Sequence, residues 1–259
     1  MPETLVRSTD YSRQLFGVVS FLALGVFAWP LVAGSGLLEV GFALTLSLVA
    51  LPVVAVVLSL AADSSLRSVN TLALVGVLAG VAALARVLST GFGGFELVFV
   101  VVILAGRALG ARQGFVVGVL AIALSSLVWG GLGPWTAYQM VALGWVGLGA
   151  GLLPPSWGRK NGTRGRAEVV FLAAYGVVAS YLFGILTNLW FWPLAVGPET
   201  SISLDSGASL GENVASFVLY SLATSTLTWD TVRAITTVVT LFLVGGPALR
   251  ALRRVYSRD

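Results

Sequence analysis

The chain has 259 residues, 57% of them hydrophobic and only 10% charged, with no Cys and no His. That composition lacks the polar surface to cover a water-soluble globule, so a bilayer must act as its solvent. The missing residue types exclude disulfides, thiol nucleophiles, thiolate metal sites and imidazole bases. The net charge of +4 does not point to nucleic acid, because the basic residues alternate with apolar runs and form no single patch.

A helix needs about 20 apolar residues to cross a hydrocarbon core of about 30 Å. In chain order the predicted spans are residues 15–33, 41–62, 71–88, 95–109, 114–129, 135–153, 169–196 and 231–249. The first, preceded by Arg7 and Arg13, imitates a signal peptide. It is longer than the roughly 7 to 15 residues of a cleavable apolar region, and a second span follows at once, so it is expected to be retained. The fourth and fifth are short and the seventh is long, which predicts irregular helices around a cavity.

Short basic loops set orientation. With the N-terminus inside, 13 of the 15 Lys and Arg fall on inner segments, while the outer connections carry Glu39, Glu199, Asp205 and Glu212. Both termini are therefore expected on the cytoplasmic side of a multi-pass protein of the cytoplasmic membrane. The apolar stretch 213–227 would break this pattern as a ninth span, so it is expected to be a short helix on or dipping into the outer surface, within a long outer loop at 197–228 that could serve as a lid. Trp29, Trp129, Trp135, Trp190, Trp192 and Trp229 fall at predicted outer helix ends, where indoles favour the headgroup level; Trp145 and Trp157 do not.

Ionisable groups inside spans cost about 3 kcal/mol at the bilayer centre and so point to function or to structural pairing. Arg86, Glu96, Asp230 and Arg233 qualify, all in the predicted outer half. Arg86 and Arg233 either snorkel or pair with Glu96 and Asp230, or they contact a ligand. GGLGPWTAYQM at 130–140 sets Trp135 and Gln139 at a helix start, which is either a stacking and hydrogen-bonding corner or an interfacial turn. TNLWFWP at 187–193 places Asn188 beside Trp190 and Trp192, as a ligand contact or as glue between helices. The predicted pocket therefore comprises Arg86, Glu96, Trp135, Gln139, Asn188, Trp192 and Arg233. On the third span Ala73, Gly76, Gly80 and Ala83 share a face, and Ala79 and Ala83 form a small-xxx-small pair that permits close helix approach. No nucleotide loop, catalytic Ser or Cys set, or metal cluster is present, so the chain reads as a non-enzyme without a metal site.

LARVLSTGFGGFELV (84–98), ILAGRALGARQGFVVG (103–118), GPWTAYQM (133–140), AEVVFLAAYGVVASYLFGILTNLWFWP (167–193) and WDTVRAITTVVTLFLVGGPALRALRR (229–254) follow one another in an order and spacing that resembles the S components, the substrate-binding subunits of energy-coupling factor (ECF) vitamin transporters. The resemblance runs from Thr71 to the C-terminus. It implies an all-α integral membrane protein, a polytopic bundle with a six-helix core at 71–259, preceded at 1–70 by two transmembrane helices outside the family pattern. It implies capture of a vitamin or related micronutrient near the outer face without settling which one; the aromatic pocket candidates and the long outer loop put a cobalamin-like cargo or a precursor first and a riboflavin-like or other ring-bearing vitamin next. The implied partners are a transmembrane coupling (T) subunit and two cytoplasmic ATPases; ATP is used there, and this chain needs no cofactor. The S component topples in the membrane to release its cargo, and the family's Ala-x-x-x-Ala docking motif maps to Ala79 and Ala83. Two rival expectations are a polytopic lipid or isoprenoid transferase, which would need paired carboxylates on the cytoplasmic side, and a structural subunit of a membrane complex, which would carry no small molecule.

Overall fold

In hydrocarbon every backbone N–H and C=O must be satisfied within its own segment, and apolar runs therefore become helices. The computed structural model describes residues 3–61, 69–89, 93–154, 164–197 and 200–256, and helices joined by short turns account for them. Arg67, Trp157, Arg159, Lys160, Glu199 and Arg258 lie outside the described residues. The elements are α1 (Glu3–Phe27), α2 (Trp29–Gly34), α3 (Val40–Ala61), α4 (Val69–Ser89), α5 (Val98–Leu109), α6 (Ala111–Val128), α7 (Pro134–Leu152), α8 (Arg164–Ala195), α9 (Leu210–Ser221), α10 (Thr231–Thr240) and α11 (Gly246–Tyr256). Among the described residues, five stretches are long and apolar enough to cross a membrane: Val40–Val57, Val69–Ser89, Ala111–Val128, Gly165–Ala195 and Leu210–Tyr256. The chain is an all-α membrane protein.

The last stretch departs from expectation. Residues 213–227 are not a separate surface helix: α9, α10 and α11 join through π-helical turns at Leu222–Asp230 and Leu241–Gly245 into one helix of 47 residues. At a rise near 1.5 Å per residue it is about 70 Å long, far more than the apolar core of a bilayer. Ser209 starts it as a capping box, its Oγ accepting from the Glu212 amide at 3.3 Å while Glu212 accepts from the Ser209 amide at 2.8 Å. The loop after α8 is correspondingly shorter than the 197–228 expected, since helix resumes at Leu210.

Glycine brings α5, α6 and α7 into backbone contact. A methyl on Gly106 would run into the Gly147 carbonyl, one on Gly147 into the backbone of Gly114, and one on Gly118 into the Leu143 carbonyl. These three helices form the rigid centre. The N-terminal pair α1 and α3 leans on α7, with Tyr138 donating to Ser47 at 2.6 Å, Trp145 to Ser20 at 3.3 Å, and Phe27 edge-on to Tyr138 at 5.1 Å. Phe27, Leu51 and Ala55 share one apolar core with α4 to α8, so the pair is built into the bundle.

The tryptophans divide. Trp129, Trp135 and Trp229 are exposed as a belt requires, whereas Trp29, Trp190 and Trp192 are buried. Trp29 donates to the Trp190 carbonyl at 3.2 Å, and Trp190 stacks on Tyr138 at 4.2 Å. At the opposite end of the bundle Glu168 accepts from Arg107 at 2.7 Å and from Arg253 at 2.5 Å and 2.9 Å, tying α8 to α5 and α11.

The pair expected to dock a partner faces inward. Ala79 and Ala83 are buried within this chain, so no partner reaches their methyl groups in this arrangement. On the same helix Ala73, Gly76 and Gly80 are exposed, and a methyl on either glycine would meet no atom within 4 Å.

Candidate functional site

Arg86, in the last turn of α4, reaches across to α6 and α7. Its Nη1 donates to Ser125 Oγ at 2.9 Å and its Nη2 to Gln139 Oε1 at 3.0 Å. Gln139 is delivered by the start of α7, where Gly133 precedes Pro134 and donates its backbone N–H to Thr136 Oγ1 at 3.0 Å. Proline at a helix start costs no hydrogen bond, because that N–H has no intrahelical acceptor.

Glu96 sits in the turn before α5. Gly93 and Gly94 there adopt φ of +52° and +93°, and Gly94 lies so close to the backbone of Trp229 that a Cβ would collide with it. Only glycine combines that conformation with that approach. The turn thus presses Glu96 against α10, where Arg233 Nε and Nη2 donate to its two oxygens at 3.2 Å and 3.1 Å. Arg233 Nη1 also donates to Asp230 at 2.5 Å and to the Ser180 carbonyl at 3.3 Å. The guanidinium lies against the rings of Phe99 and Phe183, 5.2 Å and 5.0 Å from their centroids, and the two rings themselves pack edge-on at 5.1 Å. Asp230 is fully buried because α8 has Gly184 beside it; a methyl there would occupy the carboxylate's place.

Arg86, Glu96, Phe99, Gln139, Phe183 and Arg233 line a cavity of about 330 Å³, together with Asn188 from α8 and, from the last helix, Tyr220, Thr224, Ser225 and Trp229, while Asp230 lies behind Arg233. Asn188 donates to Ser221 Oγ at 3.0 Å, so it joins α8 to α9 as well as facing the cavity. Of the seven residues expected here, the fold brings Arg86, Glu96, Gln139, Asn188 and Arg233 to one cavity, from five separate segments. Trp135 and Trp192 are not among the lining residues. Trp135 is 41% exposed and folds back over Gly133. Trp192 is buried with Phe217 and Tyr220 and donates to the Ile202 carbonyl at 2.7 Å, pinning the loop between α8 and α9.

Among the lining residues that the sequence did not point to, Thr224, Ser225 and Trp229 belong to Leu222–Asp230, and Thr187 and Tyr220 add further polar groups. The pattern of basic residues sets 213–227 apart as a surface helix, and a π-helical turn has no spacing signature of its own; such turns nonetheless gather at functional sites. A second groove, of about 420 Å³ between α4, α5 and the last helix, offers only Thr240 as a polar side chain. The chemistry is therefore at the first. Arg86 and Arg233 face Glu96 in the lining, and the fully buried Asp230 behind Arg233 brings the formal charges of the cluster to zero; both carboxylates are engaged by Arg233. The arrangement suits recognition of a solute by hydrogen bonds and ring stacking.

Fold and site together define an all-α membrane protein with a polar, aromatic-walled cavity at one end of its bundle. No protein-family model matches the chain, and no curated protein or solved structure is significantly similar to it.

Proposed function

We propose that this chain is the substrate-specific S subunit of an ECF-type importer, which captures a vitamin or related micronutrient at the outer face for ATP-driven uptake. The observation that carries the reading is the convergence of five polar or charged residues, drawn from four helices and one turn, on a single cavity away from the bundle's centre. Along α8, the Glu168 cluster and the level of Ser180 to Gly184, where Arg233 binds, are separated by about 21 Å. If Glu168, Arg107 and Arg253 mark the cytoplasmic boundary, as the basic loops suggest, the cavity opens in the outer half of an apolar core about 30 Å thick. Capture from outside needs that placement. Eight membrane crossings with both termini inside belong to the same reading, as does a partner-facing surface on the exposed Ala73, Gly76 and Gly80 stripe of α4, where small residues allow close helix approach.

The coupling subunit and two ATPases are the partners this function requires. Affinity purification of the tagged chain from its native membrane in mild detergent tests it. Recovery of one further polytopic protein and a pair of ATP-binding subunits in stoichiometric amounts is expected; recovery of the chain without any ATPase would contradict the reading.

A further inference from the structure

We infer that the cavity takes a small, flat heterocycle of one to three fused rings, without net charge, which presents hydrogen-bond donors and acceptors along its edge. This inference rests on reading the cavity as a solute-capture site. It replaces the corrinoid that sequence alone puts first.

Size comes first. About 330 Å³ lies near the lower end of the roughly 300 to 1,000 Å³ typical of pockets for drug-sized ligands. A ring system of a few fused rings fills that space, whereas a corrinoid macrocycle with its axial groups would require the helices to part. Shape agrees: the half-exposed rings of Phe191 and Trp229 stand at the cavity wall and offer faces for stacking.

Charge narrows the class further. The ionisable groups lining or backing the cavity sum to zero, so a ligand of net charge would sit in this half-buried place without a balancing countercharge. The polar groups instead form a mixed frame. An arginine has donors only, so the oxygen of Gln139 must face Arg86, which leaves the Gln139 amide N–H groups to donate into the cavity. Glu96 receives one hydrogen bond on each oxygen from Arg233, and each oxygen keeps a lone pair, while Asn188 gives its N–H to Ser221 and keeps its carbonyl as an acceptor. A ring edge with an N–H or amino group beside a carbonyl or ring nitrogen satisfies both sides of this frame. A ligand lacking either would leave buried polar groups unpaired.

The test is equilibrium dialysis of the full chain in lipid nanodiscs against five probes: pterin and riboflavin as uncharged fused rings, nicotinate as an anion, thiamine as a cation, and cyanocobalamin as the macrocycle. Retention of pterin or riboflavin at least about tenfold tighter than every other probe is expected. Glu96→Gln and Gln139→Ala should each weaken that binding about tenfold or more, and Trp135→Ala should leave it unchanged; Gln139→Ala breaks no ion pair and so separates recognition from folding, with the melting midpoint as control. Tighter retention of cyanocobalamin or of a charged probe, or retention of neither uncharged probe by folded protein, would overturn the inference. Failures are distinguishable: an uncharged ring that binds the chain but is not imported with an ATPase partner refutes the importer, and ATP-driven import of cobalamin refutes the ligand class alone.

Discussion

Arg233 holds two carboxylates at once, and its loss would leave Glu96 and Asp230 facing each other without a cation between them. Removing one member of a buried ion pair costs about 3 to 5 kcal/mol, so Arg233→Ala is expected to lower the melting midpoint in detergent markedly, while Glu96→Gln, which leaves Arg233 its bond to Asp230, lowers it less. Equal shifts would deny Arg233 its central role. Gln139 and Trp135 make a second contrast, because they lie four positions apart on α7 yet only Gln139 lines the cavity. Affinity should fall about tenfold or more in Gln139→Ala, the factor for each 1.4 kcal/mol, and stay within about twofold in Trp135→Ala. Arg86, Glu96, Gln139, Asn188 and Arg233 were legible in the sequence because a charged or amide group in an apolar run has few inexpensive places to go. Trp135 and Trp192 misled because an indole suits the interface, a core and a binding wall alike, and only tertiary packing separates those fates.

At the scale of elements, backbone proximity decides what the site can hold. Gly184→Ala would place a methyl where the Asp230 carboxylate now lies. We expect it to displace α10 from α8 and to weaken ligand binding at least as much as Gln139→Ala; binding at wild-type strength would show that α8 and α10 part freely. On α4 the glycines face out. Gly76→Leu with Gly80→Leu should abolish uptake while leaving affinity in the isolated chain intact, whereas Ala79→Leu with Ala83→Leu should destabilise the fold itself, by about 1 to 3 kcal/mol for each overpacked position. The reverse pattern would restore Ala79 and Ala83 as the docking pair. Helix existence was readable here from apolar runs alone. The inward face of α4 was not, because Ala73, Gly76, Ala79, Gly80 and Ala83 are all small, and a pattern of small residues does not say which side meets the chain's own helices. The fusion of α9 with α10 was hidden for a different reason: the distribution of basic residues counts crossings and does not say whether 213–227 and 231–249 form one helix, and the Thr224 and Thr228 hydroxyls bond back to the Tyr220 and Ser225 carbonyls as the helix continues.

For the whole molecule, composition alone established a membrane protein, and the distribution of Lys and Arg predicts both termini inside. Reporter fusions at Asp259 and near Ser206 should report cytoplasmic and external locations respectively; an external C-terminus would invert the cavity and end its role in capture from outside. Function was the least legible layer, since the cavity is assembled from residues almost 150 positions apart whose convergence only the packing of α4 to α10 provides. A capture subunit must hold a small solute in this cavity, and the most direct measurement is mass spectrometry of the molecules released when the protein, purified from cells in mild detergent, is denatured. We expect one small uncharged heterocycle in roughly one-to-one amount, absent from Gln139→Ala purified in parallel. Release of lipid and detergent alone, from wild-type protein and variant equally, would contradict it.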